Sequence, residues 1–194
     1  MFPASIEVTI KLGVADGISQ WAAVEECLAD IFAEAMHSPV YATAAMALES
    51  IRGFEAKLGI ISDTLAFTLN DMPVSVRQSW KRLCKALREA NKMRNKLAHG
   101  RFVTVSLATG EVAGWMPFYS STKIANATRT TDAGVILAYP NAIEILDHAH
   151  ISECTKVFKT QTSAVVAFLE LLRAEMRTYR QTDWFKRINR PKSG

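Results

Sequence analysis

The stretch KMRNKLAHG (92–100) places an arginine, an amide and an imidazole within six residues: Arg94, Asn95 and His99. Arginine offers a planar fork of donors that fits the non-bridging oxygens of a phosphate and the charge gathering on them in a transition state. An imidazole exchanges its proton close to neutral pH, so it can take the proton of an attacking hydroxyl or return one to a leaving oxygen. Asn95 carries donors and an acceptor without charge and can orient either partner. Together the three suit cleavage of an RNA phosphodiester by its own adjacent 2′-hydroxyl, a reaction they complete with no metal ion and no cofactor. The same residues admit a plainer account, as members of a structural ion-pair network at a helix end.

The element that must position them is a helix, restarting after Pro73 and running to Gly100, a residue suited to the C′ position. At about 100° per residue, Trp80, Leu83, Cys84, Leu87 and Ala90 gather on one face. Trp80, Leu87 and Arg94 share heptad register, so Arg94 stands where the pattern asks for an apolar side chain. A guanidinium there must be paired, reach outward, or face a space that admits an anion. A second stripe of Arg77, Lys81, Lys85, Arg88, Lys92 and Lys96 is basic throughout, and His99 projects into it. Arg88, Lys92, Lys96 and, beyond the helix, Arg101 are the candidates for holding RNA phosphates. On an unbroken helix Arg94 and His99 diverge by about 140°, with a rise of about 7.5 Å. Such a site closes only if the helix ends near Ala98, or if a two-fold dimer brings two helix ends together.

Around this helix the periodicity changes several times. SIEVTIKL (5–12) alternates like a short strand, and ISQWAAVEECLADIFAEAM (18–36) is helical with Ser19 as N-cap. The segment 37–70 reads as one long helix with Ser38 as cap, Pro39 at the first helical position, and a bend or break at Gly53 or Gly59. RFVTVSL (101–107), EVAGWMPF (111–118) and GVILAYP (134–140) are β-like, with ATGE as a turn between the first two and 119–134 as a loop. Helical spacing returns over 151–180, and a basic, frayed tail covers about 181–194. The expected fold is mainly α, a four-helix bundle in one domain, 1–194, with a small β insertion at about 101–140 between the third and fourth helices.

The net charge of +4 conceals segregation: −6 over 1–70, +7 over 71–101, −2 over 102–172 and +5 over 173–194. Two basic blocks on an otherwise acidic chain suggest a localised surface for a polyanion. In the second block Tyr179, Trp184 and Phe185 interleave with arginines and lysines, which suits either stacking on single-stranded RNA or docking of the tail. No apolar run approaches the length of a membrane span, and the N-terminus lacks the pattern of a secretory signal. Cys27, Cys84 and Cys154 have no paired spacing and read as reduced thiols, the first two buried in helices, which places the protein in the cytoplasm. Asp147, His148, His150 and Cys154 resemble a zinc set, but no second cluster completes it, so capping and loop roles are the better account. His37 is read as a helix-terminus residue. No G-x-S-x-G, Walker A or G-x-G-x-x-G pattern is present, which argues against the hydrolases and nucleotide-binding folds those motifs serve.

The run Arg94-Asn95-Lys96-Leu97-Ala98-His99 resembles the R-x4–6-H motif of the HEPN superfamily, with Asn95 as the polar residue that often follows the arginine. The resemblance is specific over about ten residues and architectural over the rest. It implies a helical bundle with the motif late in the chain, and a metal-independent endoribonuclease acting as a homodimer whose two motifs share one cleft. Such proteins often serve as toxins, sometimes with a cognate antitoxin protein, or in defence against phage. By the same resemblance Arg94 would bind and activate the phosphate, His99 would be general base or acid, and Asn95 would position either. Other members are non-catalytic modules that bind RNA or protein, and the β insertion departs from a minimal bundle. A polar residue on the second helix often assists; Glu49 and Arg52 are the candidates here, with an ordinary ion pair as the alternative.

Overall fold

The apolar stripe of the central basic helix is buried: Trp80, Leu83, Cys84, Leu87 and Ala90 all lie inside, while Arg77, Lys81, Lys85, Arg88 and Lys92 stay exposed. This computed structural model describes residues 4–68, 73–107, 110–117, 128–130, 136–138 and 144–180. The elements are α1 (Ala4–Ala35), α2 (Tyr41–Glu49), α3 (Phe54–Thr68), α4 (Val74–Ala98), β1 (Gly100–Leu107), β2 (Gly110–Pro117), β3 (Thr128–Thr130), β4 (Ile136–Ala138) and α5 (His148–Arg180). The fold is mainly α with a small sheet between α4 and α5, as the periodicity implies.

Two local expectations are corrected and one is narrowed. The SIEVTIKL segment is helical, the start of α1. Its alternation is outweighed by Ile10, Val14, Gly17 and Trp21, which follow a helical period and point inward, leaving Val8 and Leu12 exposed. The second long segment breaks at the first of its two candidate glycines: α2 and α3 are separated at residues 50–53, where Gly53 adopts φ +89°, while Gly59 sits within α3. Neither Ser38 nor Pro39 starts α2: Val40 is its N-cap, and the Ser38 hydroxyl donates to the Val40 carbonyl at 2.8 Å. His37 instead closes α1. It takes φ +51°, its N–H donates to Glu34 O, and the next N–H donates to Ala33 O, the Schellman pattern that satisfies terminal carbonyls.

The sheet order is β2-β1-β4-β3. β1 and β2 form an antiparallel ladder from Gly100↔Pro117 to Leu107↔Gly110, β1 meets β4 in parallel at Ser106↔Leu137, and β3 pairs antiparallel with β4. β3 lies in a segment read from sequence as loop; its threonines suit a strand despite the surrounding turn residues. Residues 108–109 of the ATGE turn, the rest of that loop at 119–127 and 131–134, and the tail with Trp184 and Phe185 lie outside the described residues.

Two compact units result, Met1–Ala23 with Glu89–Gln161 and Val24–Arg88 with Thr162–Gly194. In the first, Trp21 and Phe158 meet edge-on with centroids 5.4 Å apart, and Leu97 and Ile151 are fully buried. In the second, Trp80 and Phe168 lie 5.1 Å apart, with Leu58, Ile61 and Leu87 fully buried. The three cysteines are free; Cys84 and Cys154 are buried, whereas Cys27, expected inside, is half-exposed on α1. Among the described residues no helix is long and apolar enough to cross a membrane.

Candidate active site at the end of α4

Leu97, with no exposed surface, fixes the last turn of α4. Its Cδ1 lies so close to Gly17 of α1 that a Cβ there would sit 2.9 Å away, so a larger residue would push the leucine methyl aside. The final carbonyls of this helix have a partner from the sheet. The Trp115 indole Nε1 of β2 donates to Lys96 O at 3.2 Å and Leu97 O at 3.1 Å, satisfying groups that a helix end leaves orphaned. Gly100 has a different task from the one its sequence position suggests. It is the first residue of β1, with a φ outside the left-handed region, and a Cβ on it would stand 2.2 Å from Trp115 Nε1. The glycine makes room for the indole that terminates the helix. Nothing in the sequence marks Trp115 for this role beyond its place in a β-like run.

On this support Arg94 is half-buried. Its Nη1 donates to Asn95 Oδ1 at 3.1 Å, while its Nε is enclosed and has no acceptor. A buried guanidinium N–H without a partner is costly in a folded protein and calls for an anion or carbonyl. Asn95 is half-buried, and its carbonyl accepts the His99 N–H at 3.1 Å, so helical bonding persists to His99. The His99 side chain is exposed. Arg94 and Asn95 are therefore brought together, but no hydrogen bond joins Arg94 to His99 among the described residues.

The candidate RNA-binding residues are more constrained than their sequence suggests. Lys96 pairs with Glu144, Lys92 with Glu89 at 2.8 Å, and Arg88 with Glu55 at 2.9 Å. The Glu55 hydrogen bond raises the Arg88 pKa further. These pairs are largely exposed, the kind that polyanions displace at little cost. Arg101 is exposed on β1. Glu49 ends α2 and Arg52 lies in the connection after it, both exposed, and the ion pair expected between them does not form.

Around the zinc-like segment, Asp147 is a helix cap. Its Oδ1 accepts the His150 N–H at 2.9 Å and lies 2.7 Å from His150 Nδ1. Those bonds, the backbone one foremost, hold the Asp147 carboxyl below the ordinary carboxylate range. Burial pushes the Cys154 thiol up, although the nearby Lys96 charge opposes it. Among the described residues no group of three metal-ligating side chains converges. No family model matches the chain, and no curated protein or solved structure does either.

Proposed function

We propose that the protein is a metal-independent endoribonuclease of HEPN type that cuts single-stranded RNA in the cytoplasm. The observation carrying this reading is Arg94, whose enclosed Nε lacks an acceptor, one turn from the exposed His99 on the basic end of α4. Arg94 binds the non-bridging oxygens and offsets the charge that develops on them. His99 takes the 2′-hydroxyl proton as that oxygen attacks phosphorus, and a second histidine protonates the departing 5′-oxygen. The products are a 2′,3′-cyclic phosphate and a 5′-hydroxyl. A two-fold homodimer supplies the second motif, which answers the divergence of Arg94 and His99 within one chain. Asn95 orients Arg94 through its Oδ1. Such an activity suits a toxin or phage-defence effector restrained by an antitoxin protein.

The test is RNA cleavage in EDTA with analysis of the ends formed. Arg94→Ala and His99→Ala each lower the rate by about 10²–10⁴ without lowering the melting temperature. Cleavage that survives both substitutions overturns the reading. A second reading, a non-catalytic RNA- or protein-binding module, is favoured by the lack of a hydrogen bond between Arg94 and His99 among the described residues. RNA binding indifferent to His99→Ala, with no product in long incubations, selects it.

A further inference from the structure

A cavity of about 440 Å³ opens in the second unit, between α3, the first half of α4, and α5. Its apolar lining is Leu65, Val76, Trp80 and Phe168, with the Trp80 and Phe168 rings inclined at 38°. The polar groups at its base are already satisfied. Trp80 Nε1 donates to Ser62 Oγ at 2.9 Å, and that hydroxyl donates to Leu58 O at 2.7 Å. Cys84 also lines it, but burial pushes its thiol up, with Arg88 and Ser62 opposing, so it offers a soft contact and no nucleophile.

Among the described residues the rim is of one sign: Arg77, Lys81 and Arg88 line the cavity and no acidic residue does. Arg88 is held by Glu55, whereas Arg77 and Lys81, one turn apart, are exposed and have no carboxylate partner among the described residues. An apolar, aromatic floor beneath unpaired cations is complementary to a molecule with a flat apolar body and an anionic end. A neutral ligand leaves the cations unused; a cationic one is repelled.

We propose that this cavity is a binding site for a small aromatic anion, an aryl carboxylate, whose ring packs on Trp80 and Phe168 and whose carboxylate faces Arg77 and Lys81. The site shares no residue with the Arg94–His99 pair and stands or falls separately from the ribonuclease reading.

The probe is 2-naphthoate, titrated into the full chain by calorimetry. The expected result is saturable binding of one molecule per chain with a dissociation constant on the order of 0.1–1 mM, as suits so small a ligand. The neutral 2-naphthamide binds at least about tenfold more weakly, and the Arg77→Ala/Lys81→Ala double variant loses about tenfold for the acid and little for the amide. Ala66→Trp, which adds bulk at an exposed lining position and is checked by melting, removes binding. Lys85→Ala, on the basic stripe but outside the lining, leaves it unchanged. Absence of saturable binding, equal binding of acid and amide, or indifference to the double variant overturns the proposal.

Discussion

Leu87 and Arg94 stand one heptad apart on α4, yet Leu87 is fully buried while Arg94 is half-buried with a donor that has found no acceptor. Around Leu87 the helix obeys its periodicity, with apolar residues inside and lysines and arginines outside. Around Arg94 one cation has moved into the apolar register. Arg94 is half-buried, its Nη1 held by the neutral Asn95 and its Nε without an acceptor, which distinguishes it from the exposed cations of the same helix, which take surface carboxylates or solvent. The contrast separates a side chain that packing explains from one that packing leaves unexplained.

The largest effect should come from the packing side. Leu87→Ala deletes a side chain with no exposed surface and is expected to cost about 2–5 kcal/mol in denaturant unfolding. A loss near zero would mean the stripe is not the core of α4 and would dissolve the comparison. Next is Gly100→Ala. With Trp115 Nε1 2.2 Å from the new Cβ, the indole must leave the Lys96 and Leu97 carbonyls, at about 2–3 kcal/mol. A C′ glycine would also resent alanine, through its backbone conformation, so the discriminating partner is Trp115→Ala. In that background Gly100→Ala should become nearly silent, because the clash is gone.

The comparison sharpens most with Arg94→Leu. Restoring the apolar residue that the heptad calls for removes the enclosed, unpaired Nε, and is expected to stabilise the fold by about 1 kcal/mol while abolishing the RNA cleavage proposed above. Stability and activity moving in opposite directions is the signature of a group retained for function. If the variant melts lower than the parent, Arg94 has a structural partner after all.

How much of this was legible in the sequence follows from range. Arg94's misfit, the buried stripe and the β-like runs of β1 and β2 are properties of neighbours within a few residues, and the periodicity displays them. At the start of α1 eight residues alternate like a strand, too few to outweigh the longer period carried by Ile10, Val14 and Trp21. The role of Gly100 depends on Trp115 across a strand pair, and the pairing of Lys96 on Glu144, 48 residues away; neither contact leaves a local trace. The cavity beside Trp80 is likewise invisible from a single helix, since Phe168 comes from α5.

The smallest effect concerns Asp147, and it tests whether the His148–His150 segment is structural. Asp147→Ala removes the cap on the His150 N–H and should cost about 0.5–1 kcal/mol, the low end for an exposed cap. The carboxyl's pKa is lowered in the folded chain, so its contribution is present above the ordinary carboxylate range and disappears as pH falls through the folded value. The parent and the variant should therefore differ in unfolding free energy at pH 7 and converge toward pH 2. If Asp147 instead belonged to a metal set with His148 and His150, the gap at pH 7 would widen on adding zinc. A gap that ignores zinc and closes with acid assigns the residue to the helix alone.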